Sequence, residues 1–72
     1  MKKQLVYDVE IGTGEILSAC IIEYDQAGEV QRKIGLSPEE VDTQLESNKW
    51  ENPSPSWVGK GIQRSTHDER KR

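Results

Sequence analysis

Glu51-Asn52-Pro53-Ser54-Pro55-Ser56, followed at once by Trp57-Val58, is the stretch on which the reading of this chain turns. Its prolines remove backbone donors and lock φ near −65°, and each pushes the residue before it toward extended backbone, so no helix crosses it. Alternating Pro and Ser favours an extended, polyproline-like connection. The chain changes character across it. Residues 1–50 hold ten acids and five bases, near −5, while residues 51–72 hold three acids and five bases, near +2. These features predict a small domain over 1–50, then a Pro/Ser spacer and an extended basic tail over 51–72.

Upstream of the break, periodicity predicts three strands. Leu5, Tyr7, Val9 and Ile11 alternate with Asp8 and Glu10, the period of a half-buried strand. Gly12-Thr13-Gly14 tolerates the positive φ of a tight hairpin. Glu15 to Tyr24 is apolar on both faces, with Ile16, Cys20 and Ile22 on one and Leu17, Ala19 and Ile21 on the other, as in a strand covered twice. Asp25-Gln26-Ala27-Gly28 supplies a second turn, and Glu29 to Ile34 alternates again, with Arg32 near an edge. Two registers for the first hairpin, with residue numbers summing to 26 or 27, leave equally reasonable faces.

Leu36-Ser37-Pro38-Glu39-Glu40-Val41 predicts a helix start: Ser37 caps, Pro38 takes the first helical position, Glu40 completes a capping box and Leu36 staples onto Val41. At 100° per residue Val41 and Leu45 share one face. Trp50 would then stand 180° from that face. Either the helix ends near Asn48 and Trp50 folds back, or Trp50 meets a partner. The expected fold is α+β: a three-stranded antiparallel β-meander followed by one α-helix, with an extended C-terminal arm. Gln63 to Arg72, without an apolar residue, reads as disordered on its own.

With 72 residues the chain holds one domain of marginal stability. Its single cysteine and single histidine form neither an internal disulfide nor a zinc site. No stretch approaches the roughly 20 apolar residues of a membrane span, and the apolar run after Met1-Lys2-Lys3 is broken at Asp8 and Glu10. The expectation is cytoplasmic synthesis and no membrane.

Candidate chemistry is sparse. Asp8/Glu10/Glu15, Glu23/Asp25/Glu29 and Glu39/Glu40/Asp42 lack ligand spacing and read as solvated faces and helix N-terminal charge. A Cys20–His67 nucleophilic pair needs a mid-strand thiol to meet a tail imidazole; a buried small hydrophobe and an exposed histidine explain both residues better. Gly59-Lys60-Gly61 lacks phosphate-loop spacing and reads as a flexible turn. No catalytic residue, metal site or cofactor is expected, and the chain is not read as an enzyme.

The constellation that stands out is aromatic. Trp50 and Trp57 with Val58, Ile62 and Arg64 form the expected partner-binding set, because interfaces concentrate their energy in such anchors. A central strand apolar on both faces also needs two covers, and the sequence offers one helix. Three occupants fit the second face: the chain's own tail through Trp57-Val58, a second copy, or a foreign partner. The expected function is therefore a non-enzymatic assembly or interaction protein, with a protein partner or a homo-oligomer. The Tyr7-Asp8 and Thr13-Gly14-Glu15-Ile16 wording resembles short phage tail-associated proteins, which implies an accessory component of a phage-like assembly, incorporated into a virion. That resemblance spans one hairpin and carries no site across. Two alternatives are an acidic inhibitor or host-takeover protein that acts on a nucleic-acid-handling partner, and weak nucleic-acid binding through Lys60, Arg64, Arg70, Lys71 and Arg72.

Overall fold

A computed structural model describes residues 2–70. The chain runs β1 (Lys2–Glu10), β2 (Glu15–Tyr24), β3 (Val30–Gly35), α1 (Pro38–Glu46), β4 (Ser54–Gly59) and β5 (Ile62–Asp68). All five strands join one antiparallel sheet in the order β3-β2-β1-β5-β4. The expected three-stranded meander with a free C-terminal arm is corrected on this point. Residues 54–68 form a third hairpin, and its second strand lies against β1.

The physical reason is the vacant side of β1. Once β2 has taken one side, the other would leave a row of unpaired N–H and C=O groups. β5 takes them from Gln4↔Asp68 to Glu10↔Ile62. Gly59-Lys60-Gly61 is then a hairpin corner, with Gly61 at φ 74° where only glycine is unstrained. The prolines do not prevent β4, because it is an edge strand. Pro55 costs no ladder bond where its missing N–H faces outward.

The first hairpin adopts the register that sums to 26, from Leu5↔Ile21 to Asp8↔Ser18, then slips at Asp8/Val9 so that Val9 meets Ile16. That bulge displaces Leu17, which is 46% exposed. Register then sorts the side chains. One face carries the row Ile34, Ile21, Leu5, His67, flanked by Tyr7 with Ala19 and Ser65 and by Glu23 with Lys3 and Arg32. The opposite face carries Cys20, Val6 and Thr66 in a row, with Ile22, Gln4 and Asp68 on one side of it and Ser18, Asp8 and Arg64 on the other.

α1 packs on the first face. Its start is the capping box read from sequence: the Glu40 N–H donates to Ser37 Oγ at 3.4 Å and the Ser37 N–H to Glu40 Oε1 at 3.0 Å. Asn48, at φ 60°, turns the chain out of the helix. Trp50 therefore folds back: it is 7% exposed and donates Nε1–H to Gln44 Oε1 at 3.2 Å. Leu5 and Val41 are fully buried, whereas Leu45 stays 39% exposed. Past the helix, Glu51 N–H donates to the Asp68 carbonyl at 2.8 Å and Arg70 N–H to that of Lys49 at 2.7 Å. The segment from Gln63 to Arg70 is thus held on both sides instead of being disordered; Lys71 and Arg72 lie outside the described residues.

Deleting residues 51–72 uncovers Leu5 and strips β1 of a neighbour. The expected outcome is loss of the cooperative thermal transition in far-UV circular dichroism; a truncated chain with a sigmoidal melt contradicts this sheet.

Candidate functional site: an exposed aromatic end and a buried polar relay

The expected partner-binding residues do not form one cluster. Trp50 lies in the core beneath α1, where its ring is closed to a partner. Ile62 is half-buried on β5, on the same face as Arg64. The Arg64 Nε–H and Nη2–H groups fork onto the Asp8 carboxylate at 2.9 and 3.3 Å, which holds that carboxyl below the usual range. Trp57 and Val58 remain open, at 70% and 46% exposure.

Trp57 sits on edge strand β4 and pairs with Gln63, which pairs with Val9, which pairs with Ile16. This row on the helix-bearing face is left half-exposed or exposed throughout. The β1–β2 and β4–β5 hairpins both turn at this end of the sheet, and the Ile11 N–H donates to the Gly61 carbonyl at 2.9 Å, tying the turns together. Ile11 and Leu17, 48% and 46% exposed, add to the same end. A tryptophan buries 150–250 Å² when covered, so Trp57 leaves much of the energy of an interface contact unused.

A buried relay missed by sequence reasoning lies deeper on that face. His67 is 5% exposed. Its Nδ1 lies 2.8 Å from the Glu51 carbonyl, which only accepts, so Nδ1 carries the proton; in the neutral ring Nε2, 2.9 Å away, then accepts from the Tyr7 hydroxyl. The two rings stack with centroids 5.4 Å apart. Burial pushes the Tyr7 phenol up, Asp42 adds to this, and a hydrogen bond from Ser65 partly offsets it. Both imidazole nitrogens are engaged and the ring is closed to solvent, so the relay fastens the loop after α1 to β1 and offers a substrate nothing. The expected exposed His67 is thereby corrected. The signal that could have found it is Tyr7 on the inward face of the first strand, a hydroxyl that needs a partner once buried.

The other candidates are occupied or separated. Cys20 stands across from Val6, and His67 across from Leu5, so they point to opposite faces and cannot form a dyad. Glu23, 8% exposed, binds Arg32 at 3.0 Å. The Asp25 carboxylate accepts the N–H groups of Ala27 and Glu29 at 2.9 and 3.0 Å, closing its own turn. Among the described residues no set of three or more His, Cys, Asp or Glu could hold a metal ion, and every buried side-chain polar atom has a partner. No helix among the described residues is long and apolar enough to cross a membrane. A groove of about 1140 Å³ beside Lys2, Tyr24, Asp25 and Arg70 is lined by charges of both signs. Compared with known proteins, the chain matches no family model, no curated protein and no solved structure.

His67→Phe keeps the ring volume but removes the donor to the Glu51 carbonyl and the acceptor of the Tyr7 O–H, and is expected to cost about 1–3 kcal/mol in urea unfolding. Ultraviolet titration is expected to show the Tyr7 phenol ionising above the ordinary value of about 10, a component absent in Tyr7→Phe. Because the folded state holds the Tyr7 proton more tightly than the unfolded chain, this contribution to stability is complete below about pH 10. It falls as pH rises through the folded pKa.

Proposed function

We propose that this chain is a non-enzymatic interaction protein that binds a protein partner through the apolar end of its sheet, with Trp57 as anchor. The observation that carries the reading is the contrast between the two tryptophans: Trp50 closes the core at 7% exposure, while Trp57 stands 70% exposed on edge strand β4, at the end of the sheet where Val58, Ile11 and Leu17 are exposed as well. Exposed large apolar side chains gathered at one end of a small domain mark an interaction surface. Among the described residues every buried side-chain polar atom has a hydrogen-bond partner, which suits a scaffold role.

What the sheet does with the charged residues weighs against the alternatives. Of the bases assigned to nucleic acid, Arg64 is forked onto Asp8 and Arg70 donates Nη2–H to the Trp50 carbonyl at 3.1 Å. Of the strand acids that an acidic inhibitor would present, Asp8 and Glu23 are paired with Arg64 and Arg32. The narrower reading as an accessory component of a phage-like assembly rests on the hairpin wording and draws on the same surface.

Trp57→Ala is expected to leave urea stability within about 0.5 kcal/mol of the parent, as at other exposed positions, while abolishing retention of whatever protein the parent chain captures from its source cells. A large loss of stability would make Trp57 structural, and unchanged retention would remove it as the anchor.

A further inference from the structure

Among the described residues nothing covers the face opposite α1. β4 and β5, which might have folded across it, instead extend the sheet sideways. Of the described residues, β1 contributes Lys2, Gln4, Val6, Asp8 and Glu10 to this face, β2 Ser18, Cys20, Ile22 and Tyr24, and β5 Ile62, Arg64, Thr66 and Asp68. Val6, Cys20 and Ile22 are half-buried only by their neighbours in the sheet.

Two pairs of opposite charges on this face lie symmetrically about its middle row, while Asp8 is mirrored by the neutral Gln4 and Lys33 of β3, beside Ile22, by no charged residue of the strands. That row, Gly35, Cys20, Val6, Thr66, Ser54, consists of small residues from all five strands. Two residues away along β5, Arg64 lies on one side and Asp68 on the other; four residues away along β1, Glu10 lies on one side and Lys2 on the other. A two-fold axis along the row would place each copy's Arg64 over the other's Asp68 and each Lys2 over a Glu10. Val6 would meet Val6. An axis along β1 instead sets Asp8 over Asp8 and Asp68 over Ile22, which is repulsive and desolvating.

We infer that this face binds a second copy of the chain, sheet on sheet, about the two-fold axis along the Cys20–Val6–Thr66 row. Small residues along the row allow the roughly 10 Å sheet separation of a sandwich. Strands about 4.8 Å apart and the nine residues of β1 at about 3.4 Å each give a face of roughly 650 Å². That is near the about 800 Å² per partner of a standard interface. The ionic groups already have partners within the chain, Asp68 Oδ1 accepting from Gln4 Nε2–H at 2.7 Å and lying 3.8 Å from Lys2 Nζ, so a second copy adds contacts to exposed groups instead of pairing empty ones. Arg64 uses Nε and one N–H of Nη2 on Asp8, leaving donors on both terminal nitrogens. The Asp68 side chain is 56% exposed.

The test uses the full chain and is independent of the Trp57 surface. Sedimentation equilibrium at micromolar concentrations is expected to give twice the 8.2 kDa chain mass. Val6→Glu, which stacks carboxylate on carboxylate, and Asp68→Lys, which stacks ammonium on guanidinium, are each expected to weaken association at least tenfold with the circular dichroism spectrum retained. Trp57→Ala is expected to leave the dimer intact. Cys20, the single cysteine, faces its mate across the axis. A bis-maleimide spanning about 8–10 Å, matched to the sheet separation, is expected to join two native chains and to fail in urea. A native chain that stays monomeric to several hundred micromolar overturns the inference, as does a dimer that survives both face substitutions or one that Trp57→Ala dissolves.

Discussion

The pairing of β5 along β1 is the interaction on which the rest of this structure depends. It makes β1 the central strand of five, and it brings His67 beside Leu5 in the row that α1 covers. Without it the sheet would end at β1, with an open ladder and a bare Leu5. The contact is distant in sequence, about sixty residues for Tyr7 and His67, so its loop-closure cost falls on the helix and the turns between. That explains why the capping box at Ser37 and the left-handed Asn48 matter beyond α1 itself: they set where the chain re-enters beside β5.

The same pairing settles the two tryptophans. Trp50 lies where the returning segment meets the end of β5, at its bridge to Glu69, and there it closes the core. Trp57 comes seven residues later on the outermost strand, where nothing of the chain lies beyond it. An edge strand with an exposed aromatic invites aggregation, and Pro55 beside it removes a backbone donor from that edge. The device suppresses indiscriminate strand addition while leaving the indole itself available to a shaped pocket.

How much of this was legible in the sequence follows from how local each signal is. β1, β2, β3, their glycine turns and the helix cap were readable because alternation, Gly14, Gly28 and Ser37–Glu40 act within a few residues. β4 and β5 were not. β5 presents Gln63, Ser65 and His67 inward, so its hydrophobic pattern is silent, and its strand identity comes from hydrogen bonding to β1 rather than from its own side chains. In β4 the prolines imitate a linker, because their cost to a strand depends on whether a neighbour lies on that side, which composition does not state. The apolar residues on both faces of β2 suggested a second cover, which the tail does not supply because it widens the sheet instead. At the candidate site, Trp57 and Val58 were visible as apolar residues in a polar context; Trp50 became a core residue only through the helix end at Asn48.

The sheet uses its polar side chains in opposite ways on its two faces, and this bears on how the two proposed surfaces would work together. Beneath α1 the polar groups are paired inward, Tyr7 to His67 and Glu23 to Arg32. On the other face Arg64 and Asp68, and Glu10 and Lys2, lie at positions related by a two-fold through Val6, so the proposed second copy would bring opposite charges together. Stacking about that axis reverses one sheet relative to the other along the strands. The hairpin turns of the two copies, each with its Trp57, then point away from one another. Such a dimer would present two identical anchors at opposite ends and could bridge two partner molecules but not grip one twice. Its avidity would therefore come from partners held in a repeating array, where the second contact forms at the high effective concentration set by the first.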